Sequence, residues 1–68
     1  MIVVNIAQKQ DEIQAFVEAQ GYSFIKKMGL KLFFQALTED PKAEAKELKA
    51  KIKSKDASIF FSVDVANG

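Results

Sequence analysis

The sequence contains no histidine, cysteine, arginine or tryptophan among its 68 residues. Without cysteine there is no disulfide and no thiolate nucleophile, and without histidine the commonest general base and metal ligand is missing. A metal site built from oxygen ligands needs clustered carboxylates, and Glu39 beside Asp40 is too small a group. We therefore expect no metal, no cofactor and no enzymatic activity.

The basic residues are all lysine, and ten of them stand against nine acidic residues, giving a formal net charge of +1. Lysine acts as a point charge, whereas the guanidinium group of arginine makes the paired hydrogen bonds that recognise phosphate and guanine. Base-specific recognition of nucleic acid is therefore disfavoured.

Long apolar runs are also missing, since a membrane span needs about 20 apolar residues and runs such as 32–34 are far shorter. The N-terminal segment lacks the basic region and cleavage site of a signal peptide. We expect a cytoplasmic protein without a membrane segment.

The hydrophobic pattern changes period along the chain. Residues 2–6 form a short β-branched run that predicts a strand. Apolar residues with helical spacing predict a helix over 9–20. Asp40 followed by Pro41 is typical of a helix start and predicts a second helix over 40–55. Residues 57–65 alternate between apolar and polar side chains, which predicts a final strand.

The segment 22–37 fits two interpretations. With a period of two it is a hairpin whose turn lies at Met28 and Gly29, where glycine provides a positive φ. With a period of 3.6 it is a helix with Ser23 as its N-cap. The hairpin is preferred because a helix would contain Gly29 in its middle, which costs about 1 kcal/mol relative to alanine. A helix would also leave the two terminal strands as an isolated pair, which is only marginally stable.

The preferred order is β-α-β-β-α-β, which predicts a single α+β domain over 1–68 with a ferredoxin-like fold. In this fold a four-stranded antiparallel sheet has both helices on one face. The helical interpretation gives the order βαααβ instead, with three helices and a two-stranded terminal sheet, and DNA binding would then be considered.

One face of a ferredoxin-like sheet has no helices, and we expect binding on this open face. The predicted interaction residues there are Val3, Ile25, Phe33, Phe60 and Ser62, surrounded by Asn5, Lys27, Lys31 and Gln35. A solvated sheet face is normally more polar than this. Because disulfides and metals are missing, we expect a non-catalytic protein-interaction module. It would form a homodimer, or bind another protein, through this face or the final strand.

A second hypothesis is a single-stranded nucleic-acid binder, in which Phe33 and Phe60 stack on unpaired bases. Four lysines of the second helix are spaced at i, i+4, i+7 and i+11, which places them along one side of it. We call them the lysine row, a candidate polyanion-binding site: Lys42, Lys46, Lys49 and Lys53. The simpler interpretation is an ordinary solvated helix face, in which Glu44, Glu47 and Asp56 dilute the positive charge and Glu47 pairs with Lys51.

Overall fold

The computed structural model describes residues 1–66 and has the predicted β-α-β-β-α-β order. Its elements are β1 Ile2–Ile6, α1 Gln10–Ala19, β2 Phe24–Met28, β3 Lys31–Phe34, α2 Pro41–Lys55 and β4 Phe61–Val65. The strands form one antiparallel sheet in the order β2-β3-β1-β4. This is the ferredoxin-like α+β arrangement, so the hairpin interpretation of 22–37 is confirmed and the three-helix alternative is wrong.

The hydrophobic core lies between the sheet and the two helices. Alternate residues of β1 enter it, and the apolar stripes of both helices predicted from their spacing pack against them. The buried residues of this core are Ile2, Val4, Ile6, Ile13, Val17, Leu32, Phe34, Ala45, Leu48, Ile52 and Ile59. Burial of each large apolar side chain contributes about 1.5–3 kcal/mol, which makes this layer the main source of stability.

The turn between β2 and β3 is formed by Gly29 and Leu30, one residue later than predicted. Gly29 has a φ of 59°, and Leu30 is not among the residues with positive φ. This φ pattern belongs to a type II′ turn, which connects antiparallel strands with the correct twist. A glycine is therefore required at the first position of the turn.

A β-bulge interrupts the start of β2, because the register with β3 shifts between Phe24 and Lys26. Ile25 lies in this irregularity and has no partner in the register. Beyond the bulge Lys26 lies opposite Phe33, and Lys27 is therefore on the other face of the sheet. The prediction that Lys27 lies on the open face is wrong, because the bulge reverses the alternation on which it was based.

The second helix begins at the predicted position. The Asp40 carboxylate accepts a hydrogen bond of 3.2 Å from the backbone N–H of Ala43, and Pro41 is the first helical residue. The N-cap aspartate satisfies a backbone donor that has no partner within the helix. This cap determines where α2 starts relative to β3.

The final strand is shorter than predicted, because it begins at Phe61 and not at residue 57. The Asp56 carboxylate accepts hydrogen bonds from the backbone N–H and the hydroxyl group of Ser58, at 3.0 and 2.6 Å. This local bonding holds the chain in a turn, and Ile59 then enters the core. Phe60 lies outside the strand and is 90% exposed.

Candidate functional site

Three of the predicted interaction residues, Val3, Phe33 and Ser62, lie on the open face of the sheet. Val3 is opposite Phe33 on one side and Asp64 on the other, and Ser62 is opposite Asn5. Val3 is only 5% exposed although it is not part of the core cluster, and Phe33 is half-buried. The binding role of these residues remains a prediction.

Two contacts on the open face involve polar or charged side chains. The Asn5 amide donates a hydrogen bond of 2.8 Å to the Asp64 carboxylate. The Lys26 ammonium group lies 5.2 Å from the centre of the Phe33 ring, which is a cation–π contact. The open face is therefore less apolar than the sequence register suggests, since Lys26 stands where an apolar residue was expected.

Phe60 does not lie beside Phe33. It lines a depression with Lys49, Lys53 and Ile59, on the side of the molecule where α2 packs. Strand β1 lies between β3 and β4 in the sheet. The register places Phe33 opposite Val3, whereas Phe61, the neighbour of Phe60, is opposite Ile6 at the other end of β1. The prediction that Phe60 shares the open face with Phe33 is therefore wrong, and the stacking of unpaired bases on these rings remains a prediction.

The sheet has two edges, β2 and β4, and they differ in how well they are protected. β2 has a bulge and two lysines, Lys26 and Lys27, which are features that prevent another strand from pairing with an edge. β4 pairs with β1 over residues 61–65 without a register shift, and its charged residue, Asp64, is already hydrogen-bonded to Asn5. The regular, weakly protected edge is therefore β4.

The ladder between β1 and β4 determines which backbone groups point away from the sheet. The backbone nitrogen of Met1 donates to the carbonyl of Ala66 and the N–H of Ala66 donates to the carbonyl of Met1, both at 2.9 Å. Because hydrogen-bonded pairs alternate in an antiparallel ladder, Ser62 and Asp64 also bond to β1. The residues whose N–H and C=O groups point outward are Phe61, Val63 and Val65.

A groove runs between α2 and the free edge of β4. It consists of two depressions, of about 440 and 260 Å³, that meet at Lys49. The lysine row forms the α2 side of this groove, together with Ala45. The opposite side is formed by β4 and the turn before it, and its lining residues are Ala57, Ile59, Phe60, Phe61, Val63, Asp64 and Val65.

The acidic residues of α2 form their contacts elsewhere and not with the lysine row. Glu44 is 8% exposed, and its carboxylate accepts hydrogen bonds from the backbone N–H groups of Leu37 and Thr38, at 2.8 and 3.3 Å. Glu47 pairs with Lys51 at 3.2 Å, as predicted, and Lys51 lines the separate groove between the helices. Within residues 1–66 the ion pairs are Glu47–Lys51 and Lys9–Asp56, so neither involves the row.

The other surface features offer less. The groove between the helices has a volume of about 470 Å³, and the Lys55 ammonium group lies 5.2 Å from the Phe16 ring at its wall. Burial, followed by the nearby charges of Glu44 and Glu47, raises the pKa of Tyr22. In the part of the chain that the structure describes, no group of three acidic side chains is close enough to hold a metal ion.

Comparison of the chain with protein-family models, with curated proteins and with solved structures gave no match. No helix within residues 1–66 combines the length and the apolar character needed to cross a membrane. The outward edge of β4, the lysine row and Phe60 adjoin one another and form what we call the β4–α2 surface. Sequence analysis found the row and Phe60, but not that they adjoin one strand edge.

Proposed function

We propose that this domain is a non-catalytic protein-interaction module that binds an extended segment of a partner as an added strand beside β4. The observation that carries the proposal is the contrast between the two edges of the sheet. The edge at β2 has a bulge and lysines, whereas β4 offers regularly spaced backbone N–H and C=O groups at Phe61, Val63 and Val65. Adding a strand to such an edge is a recurrent way of binding a peptide.

Phe60 supports this proposal by its position. Its side chain is 90% exposed, and it immediately precedes Phe61, the first residue with outward backbone groups. Aromatic side chains, phenylalanine included, are enriched in the buried centres of protein interfaces. A partner segment that extends past Phe61 would bury this ring.

The experiment that tests the proposal is a screen of a random-peptide display library against the domain and its Val63→Pro variant. Proline removes the outward N–H of Val63 but does not break the ladder with β1, so the edge position should tolerate it. We expect the wild type to enrich peptides that the variant does not bind. Val63→Ala, which shortens the side chain but keeps the N–H, should still bind them.

Amide hydrogen exchange with an enriched peptide gives an independent readout. The N–H groups of Phe61, Val63 and Val65 should become protected on binding, whereas those of Ser62 and Asp64, already bonded to β1, should change little. Peptides that bind Val63→Pro as well as the wild type, with no alternating protection along β4, would contradict the proposal.

Self-association through the open face is a second candidate. It is favoured by Met28, which lies on this face and is 57% exposed, and by Leu30 in the adjoining turn, which is 58% exposed. A dimer formed there should dissociate in a Met28→Glu variant, as measured by size-exclusion chromatography with light scattering. A wild-type chain that stays monomeric up to millimolar concentration would rule this candidate out.

A further inference from the structure

The β4–α2 surface places a row of positive charges directly above a free strand edge. The N-terminal part of the lysine row lies over the end of β4, where Lys42 and Lys46 share a depression with Val63 and Val65. Its C-terminal part lies over the start of the strand, next to Phe61. The helix therefore runs antiparallel to β4, and a strand added to this edge would have one of its faces beneath the lysines.

We infer that the partner segment is an acidic extended peptide, with a carboxylate at every second position facing the lysine row. This inference rests on the strand addition at β4 proposed above. Successive side chains of a strand point to opposite faces, so that alternate residues of the added segment would face α2 and the others the open side.

The lysine row and a strand added beside β4 have similar lengths. From Lys42 to Lys53 the helix rises roughly 16 Å, and a strand of five residues, the length of β4, spans about 17 Å. Along such a strand, alternate side chains are about 7 Å apart. The steps between successive lysines of the row are about 4.5 or 6 Å along the helix axis, so three alternating carboxylates can each lie near an ammonium group.

Within residues 1–66, no acidic side chain forms an ion pair with these lysines. Glu44 and Glu47 are bonded to the chain before α2 and to Lys51, respectively. Asp64 contributes to the lining of the groove, but its carboxylate accepts the Asn5 amide on the open face. A carboxylate brought under the row would thus meet positive charge on the α2 side.

A second copy of the chain fits this surface poorly. Antiparallel pairing of β4 with β4 would bring two α2 helices side by side on the same face of the joined sheet. The two lysine rows would then approach each other with like charge, which opposes association at low salt. The row therefore favours a partner of opposite charge over a second copy.

A nucleic acid would satisfy the lysines but not the other side of the groove. The outward N–H and C=O groups of Phe61, Val63 and Val65 match a peptide backbone in spacing and polarity. A phosphate backbone has no donors to pair with these carbonyl groups. An acidic peptide satisfies both sides of the groove, so it is the occupant we propose.

The test uses labelled peptides of about seven residues, which is longer than the five residues of β4 and within the usual length of a strand. Binding is measured by fluorescence anisotropy. The acidic probe alternates glutamate with valine, and its matched control has glutamine in place of every glutamate. A third peptide has the same composition as the acidic probe but groups its glutamates consecutively. An oligonucleotide of equal charge completes the set.

We expect the acidic probe to bind about tenfold more tightly than the glutamine peptide at low salt, since exposed ion pairs each contribute modestly. This advantage should shrink as salt rises from about 50 to 300 mM, because screening weakens exposed pairs. The double variant Lys46→Gln with Lys49→Gln neutralises two lysines of the row and should remove most of the difference in affinity between the acidic and glutamine peptides. The matched control on the other side of α2, Lys51→Gln with Lys55→Gln, should not.

The outcomes separate this inference from the proposed function. Equal binding of the acidic and glutamine peptides, lost in Val63→Pro, would overturn the acidic partner and leave strand addition standing. The alternating arrangement would be overturned if the acidic probe still bound the Val63→Pro variant. It would also be overturned if the peptide with consecutive glutamates bound as tightly as the acidic probe. Tighter binding of the oligonucleotide than of the acidic probe would replace the peptide by a nucleic acid. No binding of any probe would overturn both proposals.

Discussion

The ammonium nitrogen of Lys9 lies 2.5 Å from the Oδ2 atom of Asp56, so the loop before α1 is joined to the end of α2. Lys9 has a left-handed backbone conformation, with a φ of 56°. Asp56 also holds Ser58 in the turn that precedes Phe60. This ion pair therefore helps to position the chain where it enters β4.

The Lys9–Asp56 pair predicts a pH-dependent stability. The hydrogen bond from Lys9, together with those from Ser58, holds the pKa of the Asp56 carboxyl well below its usual range, and the same bond raises the pKa of Lys9. A carboxyl group whose pKa is lower in the folded state stabilises the fold above its unfolded pKa of about 3.9 and loses that effect as pH falls.

We therefore expect Asp56→Asn to lower the Tm at pH 7, with a difference from wild type that shrinks as pH falls from about 4 to 2. Asparagine keeps an oxygen that can accept the bonds from Ser58, so that the variant isolates the charge. Thermal melts followed by circular dichroism across this range check the prediction. A Tm difference that is the same at every pH would show that the pair is not its cause.

Glu44 is expected to stabilise the connection between β3 and α2. Its carboxylate accepts from the N–H groups of Leu37 and Thr38, and Glu44→Ala leaves these donors without their partner. The expected loss is about 1–3 kcal/mol in urea unfolding. Glu47→Ala, which removes an exposed pair with Lys51, should cost less than about 0.5 kcal/mol. Similar losses in the two variants would contradict this role for Glu44.

Truncation of Phe34 and of Phe60 to alanine should affect the stability of the fold to very different extents. Phe34 is 0% exposed and its ring centre lies 5.6 Å from that of Phe24, so Phe34→Ala should cost about 3–5 kcal/mol. Phe60 is 90% exposed, and Phe60→Ala should change stability by less than about 0.5 kcal/mol. If Phe60 anchors a partner, this second variant should bind the enriched peptides more weakly while its urea midpoint stays unchanged.

Gly29 should resist substitution for a backbone reason alone. Its φ is 59°, and a Cβ added there meets no atom within 4 Å. Gly29→Ala should therefore cost about 1 kcal/mol through the left-handed conformation rather than through a clash. Gly29→Asn should cost less, because asparagine adopts this conformation more readily. Equal midpoints in urea for the two variants would mean that the turn rearranges.

The sequence by itself determined the two helices and the terminal strands, whereas residues 22–37 fitted both a hairpin and a helix and the structure decided for the hairpin. Alternation in the terminal strands, helical spacing of Ile13 with Val17, and the Asp40–Pro41 start of α2 are local signals, and the structure agrees with each. They succeed because backbone conformation and the burial of one face depend mainly on residues near in sequence. The absence of histidine and cysteine from residues 1–68 likewise means that no imidazole or thiol side chain is present in them.

Tertiary structure decided which residues share a surface. The bulge at Ile25 moved Lys26 opposite Phe33, and the turn held by Asp56 removed Phe60 from the strand and from the open face. Neither is visible in the alternation of apolar residues, because a single inserted residue reverses which face every later side chain occupies.

The position of the lysine row beside β4 is also a property of the fold and not of local sequence. The spacing of the row shows that Lys42 to Lys53 lie along one side of α2, but not which neighbour that side meets. The lysine row lies beside an edge strand because the strand order places β4 at one edge of the sheet. Strand order is set by contacts between residues far apart in the chain, whose pairing a local hydrophobic pattern does not encode.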